Sequence, residues 1–339
     1  YMNKKRLIWQ LPFLILLIVG TILIIRNQNI TPYHNDKGMV FGTTYSITYQ
    51  ADSSLHTSIK KELQKVDEAL SPFNKQSVIT AVNENRNMTV NKMFADVFLM
   101  AEKISEDTDG AFDITVAPLV NAWGFGFKSG KHPSRHDIDS LKTIIGYKKV
   151  SLNDLRVTKT DPRVMLDCSS IAKGYGSDAV AAMLERHGVK NYMVEIGGEI
   201  VTKGISQKRM PWKIGVTKPI DDSLSLSQEI QCIINVTDKA MATSGNYRNF
   251  YYHGGKKYAH TIDPKTGYPV QHSILSATVI ANNCATADAY ATAFMVMGME
   301  KAQKLLERHP ELMAYIIFAD KDGIIQTWCS PSLKGKITE

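Results

Sequence analysis

Residues 163–196 read RVMLDCSSIAKGYGSDAVAAMLERHGVKNYMVEI. The apolar run RVMLD predicts a strand over 163–167. A helix follows over 171–187 and stops at Gly188, and KNYMVEI at 190–196 predicts a second strand, which makes one strand–helix–strand unit. Before it, TTYSITYQ at 43–50 alternates as a strand should, and residues 56–70 carry helical spacing at Ile59, Leu63, Val66 and Leu70. Residues 93–106 predict another helix. Beyond it, strands are expected at 212–217, 230–236, 275–281, 313–319 and 323–328, with helices at 284–297, ended by Gly298, and at 299–308. Strands and helices mix without strict alternation, so the fold class is α+β, with mixed or antiparallel sheets packed against helices.

Composition narrows the function. The chain has 339 residues, 44% hydrophobic and 22% charged, which excludes disordered and collagen-like classes. Its four cysteines, Cys168, Cys232, Cys284 and Cys329, lie far apart with no C-x-x-C pair, which argues against a disulfide scaffold and a zinc ribbon. The net charge of +7 is partly an end effect, because residues 1–35 hold Lys4, Lys5, Arg6 and Arg26 and no acid. The remaining 36 basic and 33 acidic residues nearly balance, and no dense basic run marks a nucleic-acid partner.

Residues 7–25, LIWQLPFLILLIVGTILII, carry no charge. As a helix they would span roughly 28 Å, close to a bilayer core. Lys4, Lys5 and Arg6 precede them, so the expected arrangement is a cytoplasmic tail at 1–6, a single-pass anchor at 7–25, a polar linker at 26–37, and a body at 38–339 outside the cytoplasm, on the inner membrane. A cleaved signal peptide is the rival, but small residues of the A-x-A kind are missing after Ile25. The loop-like stretches 128–140 and 217–228 do not read as domain boundaries, so the body is expected to be one continuous unit.

Four segments could carry chemistry. In 167–176, DCSSIAKGYG, a helix start offers unpaired N–H groups that suit phosphate, the two glycines allow close approach, and Lys173 could neutralise an anion. The same residues also fit a plain helix start capped by Ser169 or Ser170. In 283–298, Asp288 and Thr292 share one face of an otherwise apolar helix. A carboxylate there needs a partner, either a cation such as Mg²⁺ on hard oxygen ligands or an Arg or backbone N–H of the core. Residues 109–126, DGAFDITVAPLVNAWGFG, combine aromatic surfaces with Asp113, and suit either ring stacking with a ligand hydrogen bond or ordinary core. Finally, Thr243–Asn246 reads as a polar turn, and His260 ahead of Asp263-Pro264 is a general-base candidate or a structural histidine.

These segments, in this order, resemble the ApbE family of FAD:protein FMN transferases over about residues 38–330. The resemblance is carried by GTTYSI, LSPFNKQSVI, DGAFDITVAPLVNAWGFG, LDCSSIAKGY, EIGGE, ATSGNYRNF, HTIDPKTGYP and ADAYATA. It implies that FAD is the substrate, that Mg²⁺ sits at its diphosphate, and that FMN passes to a Thr or Ser hydroxyl of a target protein while AMP leaves. Flavinylated subunits of respiratory membrane complexes are the implied targets. By position, the resemblance assigns Phe41, Phe73, Ala111 and Phe112 to the FAD site, together with Asp113, Asp167, Lys173 and Ile262. It assigns Mg²⁺ to the Asp288 and Thr292 side chains and the Ser170 carbonyl, and proton acceptance to His260, with Asp288 counted beside it as catalytic. Ala291 stands where some relatives carry Asp, which makes this metal site less acidic. The alternatives are an Mg²⁺-dependent FAD pyrophosphatase and a non-catalytic FAD-binding protein.

Overall fold

The alternation in TTYSITYQ buries Tyr45, Ile47 and Tyr49, and the strand Thr43–Gln50 pairs on both sides in a large sheet. The computed structural model describes residues 12–23, 31–126, 132–219, 229–246, 250–253, 256–271 and 273–338. Eight strands form the sheet in the order Tyr33–Val40, Thr43–Gln50, Tyr192–Ile196, Glu199–Lys203, Ala240–Gly245, Ile274–Ala281, Met313–Ala319 and Ile325–Cys329. Every ladder in it is antiparallel. A smaller antiparallel sheet joins Ile337–Thr338, Ile230–Asn235 and Lys213–Thr217. Two hairpins stand apart, Val150–Asn153 with Arg156–Lys159 and Phe250–His253 with Lys256–Ala259.

The α+β expectation holds, and the helices expected at 284–297 and 299–308 are found as Cys284–Met297 and Met299–Arg308. The first is apolar almost all round and buried almost all round, as such a helix must be. It packs on the strands Ala240–Gly245 and Ile274–Ala281 and against the helices Lys92–Asp107 and Ser169–Arg186.

The structure corrects several expectations. Residues 163–167 are not a strand: Leu166 exchanges two hydrogen bonds with the Asn83 side amide, and Asp167 N–H donates to the Ile114 carbonyl, so no ladder forms. The strand–helix–strand unit therefore lacks its first strand. Part of the expected linker is structured, because the strand Tyr33–Val40 begins inside 26–37. The loop-like stretch 128–140 lies partly outside the described residues, but Ser134 and Asp137 form a capping box that opens the helix Arg135–Lys142. Thr243–Gly245 lies in the strand Ala240–Gly245 rather than in a turn. At the N-terminus a helix covers 12–23, residues 7–11 and 24–25 lie outside the described residues, and among those described no helix is long and apolar enough to cross a membrane.

Candidate active site

Two helices make one wall of the site, and glycine decides how closely they cross. A Cβ on Gly174 would lie 2.4 Å from the Cys284 carbonyl oxygen and 2.9 Å from the Ala285 Cα. At that crossing each helix lends the other a carboxylate. Asp178 accepts the N–H groups of Cys284 and Ala285 at 2.7 and 2.8 Å, and Asp288 accepts the N–H of Gly174 at 3.1 Å. Gly174→Ala must therefore push the helices apart. The expected cost is about 1–3 kcal/mol, the usual scale for overpacking, read as a lower Tm.

Burial pushes the Asp178 carboxyl up to about 6, against the pull of its two N–H donors. With the folded-state pKa above the unfolded value, this group favours the fold most at low pH, and its contribution falls as pH rises from about 4 to 6. Asp178→Asn should flatten that part of the profile of Tm against pH.

The start of the helix Ser169–Arg186 is organised by Asp167. Its carboxylate accepts the Ser169 N–H at 2.8 Å and the Ser169 hydroxyl, so neither serine is the cap that the sequence suggested. Burial raises the Asp167 carboxyl above its ordinary value, with the Ser169 bonds opposing.

One turn into this helix, the Lys173 ammonium contacts Glu199 Oε1. Burial alone would lower the Lys173 ammonium, but Asp288 and Glu199 outweigh it and hold it above its ordinary value. Glu199 follows a two-glycine hairpin turn, with Gly197 at φ +62° and Gly198 at φ +102°, the left-handed backbone that such turns require. Burial raises the carboxyls of both Glu199 and Asp288, and Lys173 opposes the shift in each.

These groups face a cavity of about 710 Å³, within the range of small-molecule sites. Of the residues expected there, Phe73, Ala111, Phe112, Asp113, Asp167, Ser170, Lys173, His260, Ile262, Asp288 and Thr292 all line it. Phe73 is 72% exposed, and Phe112 is buried. The His260 ring stands edge-on to Phe125, with centroids 6.5 Å apart.

Phe41 is the exception. It is not among the lining residues, and its ring lies against Gly176, where an added Cβ would meet it at 2.7 Å. It packs where two clusters of the core meet on one face of the sheet. Asp113 lines the cavity, yet its carboxylate is engaged internally. Oδ1 accepts the Thr115 N–H and hydroxyl, and Oδ2 accepts the Tyr147 N–H at 2.8 Å, so it fastens the loop that carries Phe112. Trp123, from the same aromatic segment, is core: it stacks on Tyr258 and donates to the Gly267 carbonyl.

Sequence reasoning missed Glu199, Glu195, Thr43 and Thr44, which also line the cavity. Glu199 carried a signal, because an acid opening a strand directly after Gly-Gly is an odd choice for a buried position. Its partner, however, lies 26 residues away.

Among the described residues no three His, Cys, Asp or Glu side chains cluster as a metal site. A hard-cation site needs fewer carboxylates if hydroxyl and carbonyl oxygens contribute. Asp288, whose buried carboxylate has one N–H donor, and Thr292 one turn on both line the cavity together with Ser170, so the donor set fits Mg²⁺.

A lysine and a carboxylate–hydroxyl pair lining one cavity suit a phosphate-bearing ligand with its cation. Residues 41–317 match the ApbE family, and the chain belongs to it. A protein of Haemophilus influenzae named FAD:protein FMN transferase is 36% identical over 319 residues, covering 89% of this chain and 90% of its own. An Escherichia coli K12 protein of the same name is 33% identical over 312 residues, covering 88% and 87%. The structure of the flavin transferase ApbE from Vibrio cholerae superposes with a TM-score of 0.81 at 35% identity, covering 90% of this chain and 99% of that one.

Proposed function

We propose that this chain transfers FMN from FAD to a Thr or Ser hydroxyl of a target protein, with Mg²⁺ required and AMP released. The observation that carries the reading is the convergence of Lys173, Asp288, Thr292 and His260 on one cavity, in a family whose relatives bear the name FAD:protein FMN transferase. Phosphoryl transfer asks for positioning and charge neutralisation more than for covalent chemistry. The target oxygen bonds to the phosphorus on the FMN side. The bond from that phosphorus to the bridging oxygen breaks, and AMP departs with that oxygen. His260 accepts the hydroxyl proton. Lys173 donates to the diphosphate and offsets part of its negative charge. Asp288, Thr292 and the Ser170 carbonyl would hold Mg²⁺, which when bound supplies Lewis-acid neutralisation of the phosphate oxygens. Phe112, Ile262 and Phe73 offer apolar surface to the rings.

The test is incubation of the chain with FAD, Mg²⁺ and a candidate acceptor subunit, read as covalent flavin fluorescence in a gel and as added FMN mass. FMN and AMP released without labelling would identify a pyrophosphatase, and neither product would identify a binding protein. The proposal also places the body outside the cytoplasm, tethered by residues 7–25 to the inner membrane and near flavinylated respiratory subunits. Its support is the uncharged run behind Lys4, Lys5 and Arg6. An alkaline phosphatase fusion after residue 40 that stays inactive would overturn that placement.

A further inference from the structure

Lys173 stands near two buried carboxylates and bonds one of them. Its ammonium contacts Glu199 Oε1, whereas the hydrogen bond that Asp288 accepts comes from the Gly174 N–H. Both carboxylates act on Lys173 electrostatically. The Glu199 side chain is only 3% exposed, and its Oε2 is buried without a hydrogen-bond partner. Stability is a poor explanation for this arrangement. A buried ion pair is commonly matched or bettered by apolar side chains of similar volume, and an unpartnered buried oxygen adds a cost. Glu199 also sits on the cavity wall, on a strand fixed by the two-glycine turn and by the Ser177 hydroxyl, which donates to its carbonyl at 3.0 Å.

We infer that Glu199 is a positioning residue that holds Lys173 away from Asp288 and so keeps the Asp288 carboxylate available to a divalent cation. The inference rests on the reading of Asp288 and Thr292 as Mg²⁺ ligands. An ammonium and a divalent cation compete for the same carboxylate. Without the charge on Glu199, the buried carboxylate remaining beside Lys173 is Asp288, which accepts the N–H of the adjacent Gly174 and lines the same cavity. With it, Lys173 and Glu199 form a neutral pair beside the cation and still present a donor to the cavity.

The experiment is isothermal titration of the full chain with MgCl₂, with and without saturating FAD. Glu199→Gln, which keeps shape and loses charge, should raise the Mg²⁺ dissociation constant about tenfold or more, within the usual range of coupling between neighbouring sites. Adding Lys173→Gln to that variant should restore Mg²⁺ binding to wild-type strength or better, a rescue that a merely structural role for Glu199 would not produce. Equal Mg²⁺ affinity in Glu199→Gln and wild type overturns the inference, as does failure of the second substitution to restore binding. Wild-type chain that binds no Mg²⁺ overturns the metal reading, and this inference with it. If Glu199→Gln melts the fold, Glu199→Asp serves instead. Its carboxylate, one methylene shorter, should weaken Mg²⁺ binding measurably, and unchanged affinity overturns the inference.

Discussion

Asp288→Ala should abolish flavin labelling of an acceptor, with a loss on the order of a thousandfold or more, the scale seen when a preorganised electrostatic stabiliser is removed from a water-poor site. The carboxylate is the one charged side chain of its helix, and it accepts the Gly174 N–H across the crossing. Its loss removes the one acidic group of the proposed cation site, leaves that N–H without its carboxylate acceptor, and leaves Lys173 to Glu199 alone. Asp288→Asn separates these effects. The amide oxygen can still accept from Gly174, so Tm should stay near wild type while labelling is lost with the charge. The measurement is covalent flavin fluorescence against time at saturating FAD and Mg²⁺. Labelling by Asp288→Ala at the wild-type rate would remove the argument for a cation there.

His260→Ala should slow transfer by roughly a hundredfold to ten-thousandfold, the usual contribution of a positioned general base, while FAD affinity changes only a few-fold. His260 lines the same cavity as Asp288 and Lys173, at the end of the Lys256–Ala259 strand and edge-on to Phe125. A base is needed only when the hydroxyl is attacking, so its removal should leave ground-state binding largely intact. Part of the lost rate should return as pH rises and hydroxide takes the proton. Transfer rate from the gel assay and FAD affinity from flavin fluorescence quenching decide the matter. Equal losses in both would move His260 to the binding surface.

Much of this was legible from the chain itself, for reasons that differ between segments. The helix Cys284–Met297 could be read because an alanine-rich apolar run with a closing glycine has few other solutions, and its lone acid stands out against it. The helix Ser169–Arg186 could be read because Ser-Ser after an apolar run, and Gly188 beyond its end, are local start and stop signals. The strand expected at 163–167 failed because its composition is β-like while its hydrogen-bond partners, Asn83 and Ile114, are remote in sequence. Glu199 escaped for the same reason, since what marks it is a lysine on another element. Phe41 was assigned by position in a motif, whereas what its ring meets is Gly176, on a helix remote in sequence. Local periodicity specifies elements, whereas pairing across distant segments specifies who meets whom.

The cavity wall draws its residues from Thr43 to Val296. Contacts of such large sequence separation require closing long loops before they stabilise anything. A nascent or proteolysed chain lacking either end of that span has no partial version of the pocket to offer. The pocket therefore belongs to the assembled body rather than to any one segment of the chain.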